Sequence, residues 1–125
     1  MKSVRYAASR DANDPAIWRD EDRAMAHASI VSNEPSVGKA KAALRAYILK
    51  EAAYLRKQYG NEAFFDVHRG KINDPEHWAA KRIVELEAAA KQIARAKFNG
   101  GKQWEAIDFD ADKLRFRLIR IEREV

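Results

Sequence analysis

The chain has 125 residues, 34% of them charged and 46% apolar, with a formal net charge of +5 and no cysteine. That length buries roughly two-thirds of the unfolded chain's surface in one core, and the composition is that of a globular domain rather than a disordered one. No apolar run approaches the ~18 to 20 residues that cross a bilayer, the opening MKSVRYAASRDANDP has no secretory-type apolar stretch, and the missing cysteines exclude disulfides and thiolate metal sites. The expectation is one cytoplasmic domain over residues 1 to 125 that does not contact membranes.

Residues 3 to 9, SVRYAAS, alternate Val4, Tyr6 and Ala8 against Ser3, Arg5 and Ala7, so residues 1 to 12 read as either an arm or an edge strand. Asn13-Asp14-Pro15 has helix-start chemistry, a capping carboxylate followed by a proline whose missing N–H costs nothing there. It predicts a helix over about 15 to 31, with Ile17, Ala24, Met25 and Ala28 inward, closed by a turn at Asn33-Glu34-Pro35-Ser36. A second helix spans about 36 to 59 and stops at Gly60-Asn61. Residues 61 to 70, with Phe64, Phe65 and Val67, fit a short helix or an extended segment equally well.

Asn73-Asp74-Pro75 repeats the capping signal ahead of a third helix over about 75 to 97, where Ile83, Leu86, Ala90, Ile93 and Ala94 recur at spacings of three and four. Asn99-Gly100-Gly101 ends it. Asn-Asp-Pro-x-x-Trp thus occurs at 13 to 18 and at 73 to 78, but the following thirteen residues share only one identity, Ala28 with Ala88. Two helices that start by the same chemistry, with Trp18 and Trp78 anchoring their first turns, account for the repeat better than duplication does.

The C-terminus reads as a β-hairpin, Gln103 to Phe109 and Leu114 to about Glu122, joined by a four-residue turn. This register sets Phe109 opposite Leu114, Ile107 opposite Phe116 and Asp108 opposite Arg115. Trp104, Ile119 and Ile121 then share the face of Asp108, which calls for a twist, a bulge or burial on both faces. A lone hairpin is marginal in water. The predicted fold class is therefore α+β: three main helices plus the hairpin, to which residues 3 to 9 can add a strand and form a small antiparallel sheet.

Divided along the chain, the net charge is −1 for residues 1 to 37, +5 for 38 to 60, +1 for 61 to 100 and 0 for 101 to 125. The basicity belongs to the second helix. At 100° per residue that helix has a broad apolar stripe of Leu44, Tyr47, Ile48, Leu55 and Tyr59 and a narrow one of Ala42, Ala46, Leu49 and Ala53 opposite, which suggests packing on two sides. Between them run two basic rows, Lys39, Lys50 and Lys57 on one edge and Lys41, Arg45 and Arg56 on the other. Aligned cations give sequence-independent, salt-sensitive affinity for phosphates, and Tyr47, Tyr54 and Tyr59 can stack on bases where exposed. The same rows also read as a solvated edge whose charges pair with the acidic first helix.

Glu51, the one acid of this helix, falls within the broad apolar stripe. It needs either an ion pair or hydrogen bond from another segment, such as a hairpin arginine or a tyrosine hydroxyl, or a place in a cleft. Arg115 and Arg117 share one face of the last strand and suit either salt bridges across the hairpin or an acidic partner. His68 and His77 flank a loop with Asp66, Asp74 and Glu76, but their spacing does not aim both rings at one ion, so no metal or other cofactor is expected. The five serines, Ser3, Ser9, Ser29, Ser32 and Ser36, stand in no nucleophile setting, and Phe98-Asn99-Gly100-Gly101-Lys102 lacks phosphate-loop spacing. No catalytic residue is assigned.

The function expected from these features is non-enzymatic binding of DNA, RNA or a nucleoprotein complex through Lys39, Lys41, Arg45, Lys50, Arg56 and Lys57, with Arg115 and Arg117 in support. The alternative is a small protein-interaction module, a regulator, inhibitor or structural component of phage or mobile-element type, docking on an acidic protein surface.

Overall fold

A computed structural model of the chain describes residues 2–11, 29–61, 64 and 74–124. In chain order the elements are β1 (Lys2–Asp11), β2 (Ser29–Glu34), α1 (Val37–Tyr59), α2 (Trp78–Ile93), β3 (Trp104–Ala111) and β4 (Leu114–Glu124). The strands form one antiparallel sheet in the order β2-β1-β4-β3. The class is α+β as predicted, with two helices rather than three among the described residues. Most of the helix expected over 15 to 31 lies outside the described residues, and the stretch that was to end it and turn, 29 to 34, is strand β2 instead.

The segment read as an arm or an edge strand is interior. β1 pairs with β4 along its whole length, from Lys2 opposite Glu124 to Asp11 opposite Arg115, and with β2 on its other side. A bulge between Ala8 and Ser9 leaves Val31 of β2 without an opposite residue, and its side chain packs against the main core. From Tyr6 to Arg10 the strand is paired on both edges, and before Tyr6 on the β4 edge alone. Its small residues Ala7, Ala8 and Ser9, all buried, let neighbouring layers come close.

The hairpin is shifted by two residues from the predicted register: Phe109 faces Phe116, Asp108 faces Arg117 and Ala111 faces Leu114. The turn shrinks to Asp112-Lys113, and Asp112 adopts a φ of 57°, a left-handed conformation that aspartate tolerates better than most residues. A slip of two preserves the face of every side chain, so the apolar and charged sides stay as predicted. Burial on both faces resolves the change of apolar side. Phe109, Phe116 and Leu118 join the helices in the main core, while Ala7, Ile119 and Ile121 form a second cluster with Trp104 and Ala106 on the other face.

α1 and α2 pack side by side on one face of the sheet, α1 over β1 and β2 and α2 over β3. α1 starts where the Ser36 hydroxyl accepts the Lys39 amide. It buries a single stripe, Ala40, Leu44, Ile48, Ala52 and Leu55. The second apolar stripe expected on it is exposed at Ala42, Ala46 and Ala53 and half-buried at Leu49, because sheet and α2 meet the same side of the helix. α2 begins three residues later than predicted. The Asp74 carboxylate accepts the Glu76 amide in a preceding turn, and Nδ1 of His77 caps the helix by accepting the Ala79 amide at 3.1 Å. Trp78 anchors this end only partly; 36% exposed, it carries the Arg82 guanidinium 4.9 Å over its ring.

Phe116 is fully buried where Tyr47 meets it edge-on at 6.2 Å. Phe116→Ala is expected to lower stability by about 3 to 5 kcal/mol, read from the urea-unfolding midpoint. At the opposite end of the sheet Glu122 accepts from Lys2 at 3.1 Å and Arg120 at 3.3 Å. The Lys2 hydrogen bond, opposed by burial and helped by both charges, holds the Glu122 carboxyl below its ordinary range. Its contribution is thus present above the unfolded-state value and fades as pH falls through the lower folded-state value. Glu122→Gln is expected to be less stable than the parent at pH 7, with the two unfolding curves converging on acidification below about pH 4.

Candidate functional site

The outward face of α1 follows from its buried stripe. With Leu44, Ile48 and Leu55 turned to the sheet, the opposite side presents Ala42, Ala46 and Ala53 as a low ridge. Lys39, Lys50 and Lys57 line one edge of it and Arg45 the other, all exposed and without an ion-pair partner among the described residues. Glu51 points to the other side of the helix, so this face carries no carboxylate of its own. Lys39 to Lys57 spans about 27 Å at the helical rise.

The second basic row is largely spent on holding the helices together. Lys41 donates to the Ala96 carbonyl at 2.5 Å, just past the end of α2, where a cation favours the negative pole of the helix. Arg56 pairs with Glu87 of α2. Arg115 and Arg117 do not join the α1 cations at all, since they lie on the sheet face away from the helices. Arg115 bonds Asp110 at 2.8 Å and approaches Asp108 at 3.9 Å, and Arg117, 4% exposed, pairs with Asp108.

Glu51 has both the partner and the cleft that its position in an apolar stripe called for. The partner is Arg10, at the end of β1, rather than a hairpin arginine, and Arg10 also donates to the Tyr47 hydroxyl at 3.3 Å. Burial works against the Arg10 charge, but the Tyr47 hydroxyl and the Glu51 carboxylate outweigh it, so the guanidinium binds its proton more tightly than a free one. The cleft, open to solvent, has a volume of about 460 Å³ between α1, the start of α2 and the hairpin tip. Among the described residues its walls carry three cations, Arg10, Lys50 and Arg82, against the single carboxylate of Glu51. Tyr47 and Tyr54 supply aromatic surface, and Leu55 and Leu114 apolar surface.

Arg10 and Arg82 were not singled out in the sequence. The signal for Arg10 was its place two residues past Ala8 on the Tyr6-Ala8 face, which the strand continues toward the helices. For Arg82 the signal was its i, i+4 spacing from Trp78 on one helix, whereas its contact with Asp112 at 3.2 Å is fixed only by the packing of α2 on the hairpin.

Other sequence candidates lead elsewhere. In the glycine loop, the Asn99 and Gly100 amides both donate to the Glu105 carboxylate, at 2.9 and 2.5 Å, so an internal anion occupies the place a phosphate would need. His77 is a helix cap, while Trp18, His27 and His68 lie outside the described residues. Among the described residues no three metal-ligating side chains converge, and no helix is long and apolar enough to cross a membrane. Compared with known protein families, curated proteins and solved structures, the chain matches none.

The half-buried Arg10–Glu51 contact should contribute more than an exposed pair. Arg10→Ala or Glu51→Gln is expected to lower stability by about 1 to 2 kcal/mol. The double variant should lose less than the sum of the two, as a double-mutant cycle in urea would measure.

Proposed function

We propose that the protein is a cytoplasmic, non-enzymatic binding protein that engages DNA, RNA or a nucleoprotein complex through the outward face of α1, without base readout by that face. The observation that carries the reading is the one-sidedness of the helix. Its acid is turned inward to Arg10, while Lys39, Arg45, Lys50 and Lys57 stand outward beside alanines too short to hold a backbone at a distance. Several other cations are already neutralised, as Arg56, Arg115 and Arg117 are by Glu87, Asp110 and Asp108. A neutralised cation gains little from a phosphate; an unneutralised one gains by releasing the counterions condensed on the nucleic acid. Four such cations over about 27 Å of helix match the reach of several consecutive phosphates.

This reading narrows the expected contact set. Lys41, Arg56, Arg115 and Arg117 serve the fold, and the contact falls to the other four.

Titration of labelled duplex and single-stranded oligonucleotides at rising salt tests it. The expected slope of log affinity against log salt is about −3 to −4, and each of Lys39→Glu, Arg45→Glu, Lys50→Glu and Lys57→Glu should weaken binding and reduce the slope by about 1. Helical circular dichroism should stay unchanged. Absence of binding at low salt would reject the reading in favour of an acidic protein surface as the partner.

A further inference from the structure

From the cleft beside Glu51 we infer a second binding site, one that takes a single nucleotide unit, a base with its phosphate. It does not depend on the outward face of α1, although Lys50 borders both.

The cleft's volume of about 460 Å³ is in the range of small-molecule sites, and it opens to solvent past Lys50 and Tyr54. Arg10 is neutralised by Glu51 and Arg82 by Asp112, so the unmatched charge at the cleft is that of Lys50, which suits it to an anion. The cations are not equivalent. Arg10 is committed to Glu51 and Tyr47, and Arg82 uses one amino group on Asp112 and its face on Trp78. Lys50 is exposed and has no carboxylate among the described residues, and the Nε of Arg82 is buried with no hydrogen-bond acceptor among them. Because that Nε has no accessible surface, the donor left for a phosphate in the cleft is the Lys50 ammonium.

An inorganic anion would leave the rest of the cleft unused. Tyr54, 62% exposed, lies one helical turn beyond Lys50 on the same face, and its ring offers a surface on which a base can stack. Leu55 and Leu114 add apolar surface for the body of the ligand. Glu51 keeps acceptor capacity beyond its bond to Arg10 and can receive an exocyclic amino group from a base edge. A flat ring, a dianionic group about one helical turn away and an amino donor are together the chemistry of a nucleotide.

Isothermal titration of the full chain with AMP, CMP, UMP, adenosine and inorganic phosphate tests the site. A nucleoside monophosphate should bind more tightly than either its nucleoside or phosphate alone. Tyr54→Ala should weaken it about tenfold, while Tyr54→Phe, which keeps the ring, should bind as the parent does. Lys50→Ala should weaken it as well. Arg45→Glu, outside the cleft, should leave nucleotide binding intact whatever it does to strand binding, so failure of the helix-face reading and failure of this one are separable. Competition by a single-stranded oligonucleotide identifies a nucleotide within a strand as the occupant, and lack of competition a free nucleotide; either keeps the site. No heat with any nucleotide up to millimolar concentration, phosphate binding as tightly as the nucleotide, or indifference to Tyr54→Ala overturns it.

Discussion

The fold and its cleft depend on the pairing of β1 with β4. It joins the two ends of the chain residue by residue, from Lys2 opposite Glu124 to Asp11 opposite Arg115, and puts β1 in the interior of the sheet. Neither a hairpin nor an isolated N-terminal strand would be stable alone, and only their union, extended by β2, makes a face wide enough for two helices. That face seats α1, and the end of β1 delivers Arg10 to Glu51. Contacts so distant in sequence reward the chain only after the loop-closure cost has been met.

Small side chains follow from the same constraint. Ala8 on the sheet meets a helix whose buried stripe begins at Ala40 and includes Ala52, while Leu44, Ile48 and Phe116 fill the space between. Close approach removes the need for a second buried stripe on α1. Ala42, Ala46 and Ala53 are therefore free for the surface, where their shortness lowers the ridge between the cations.

Patterns local in sequence were legible. The 3.6-residue period drew α1 nearly to its ends, and the apolar spacing of α2 held at Ile83, Leu86, Ala90 and Ile93. Which faces of the hairpin are charged could be read as well, since a two-residue slip leaves faces unchanged. Competition between equivalent local choices was not legible. Asp74 and His77 can each cap a helix, and the turn ahead of α2 uses the first and leaves the second to cap. The alanine stripe of α1 is apolar enough to be core and small enough to be surface, so only the shared side of sheet and α2 decides it. For Glu51, the need for a partner was visible in one helix; the partner's identity required β1 to pass beneath it.

Charge is the property in which these levels meet. A net +5 has little meaning while cations and carboxylates are counted together, because many of them cancel within a few ångströms. On the far face of the sheet Arg115 and Arg117 are matched by Asp110 and Asp108, and at the hairpin tip Arg82 by Asp112. Along the helix seam Arg56 is matched by Glu87. On the outward side of α1 the cations stay unmatched, because the single acid of that helix is held inward by Arg10. The Arg10–Glu51 pair therefore acts twice, closing β1 onto α1 and leaving the exposed side of α1 uniformly positive. A substitution at Arg10 would reach that face without touching it, by freeing Glu51 to turn toward Lys50, its neighbour in the chain.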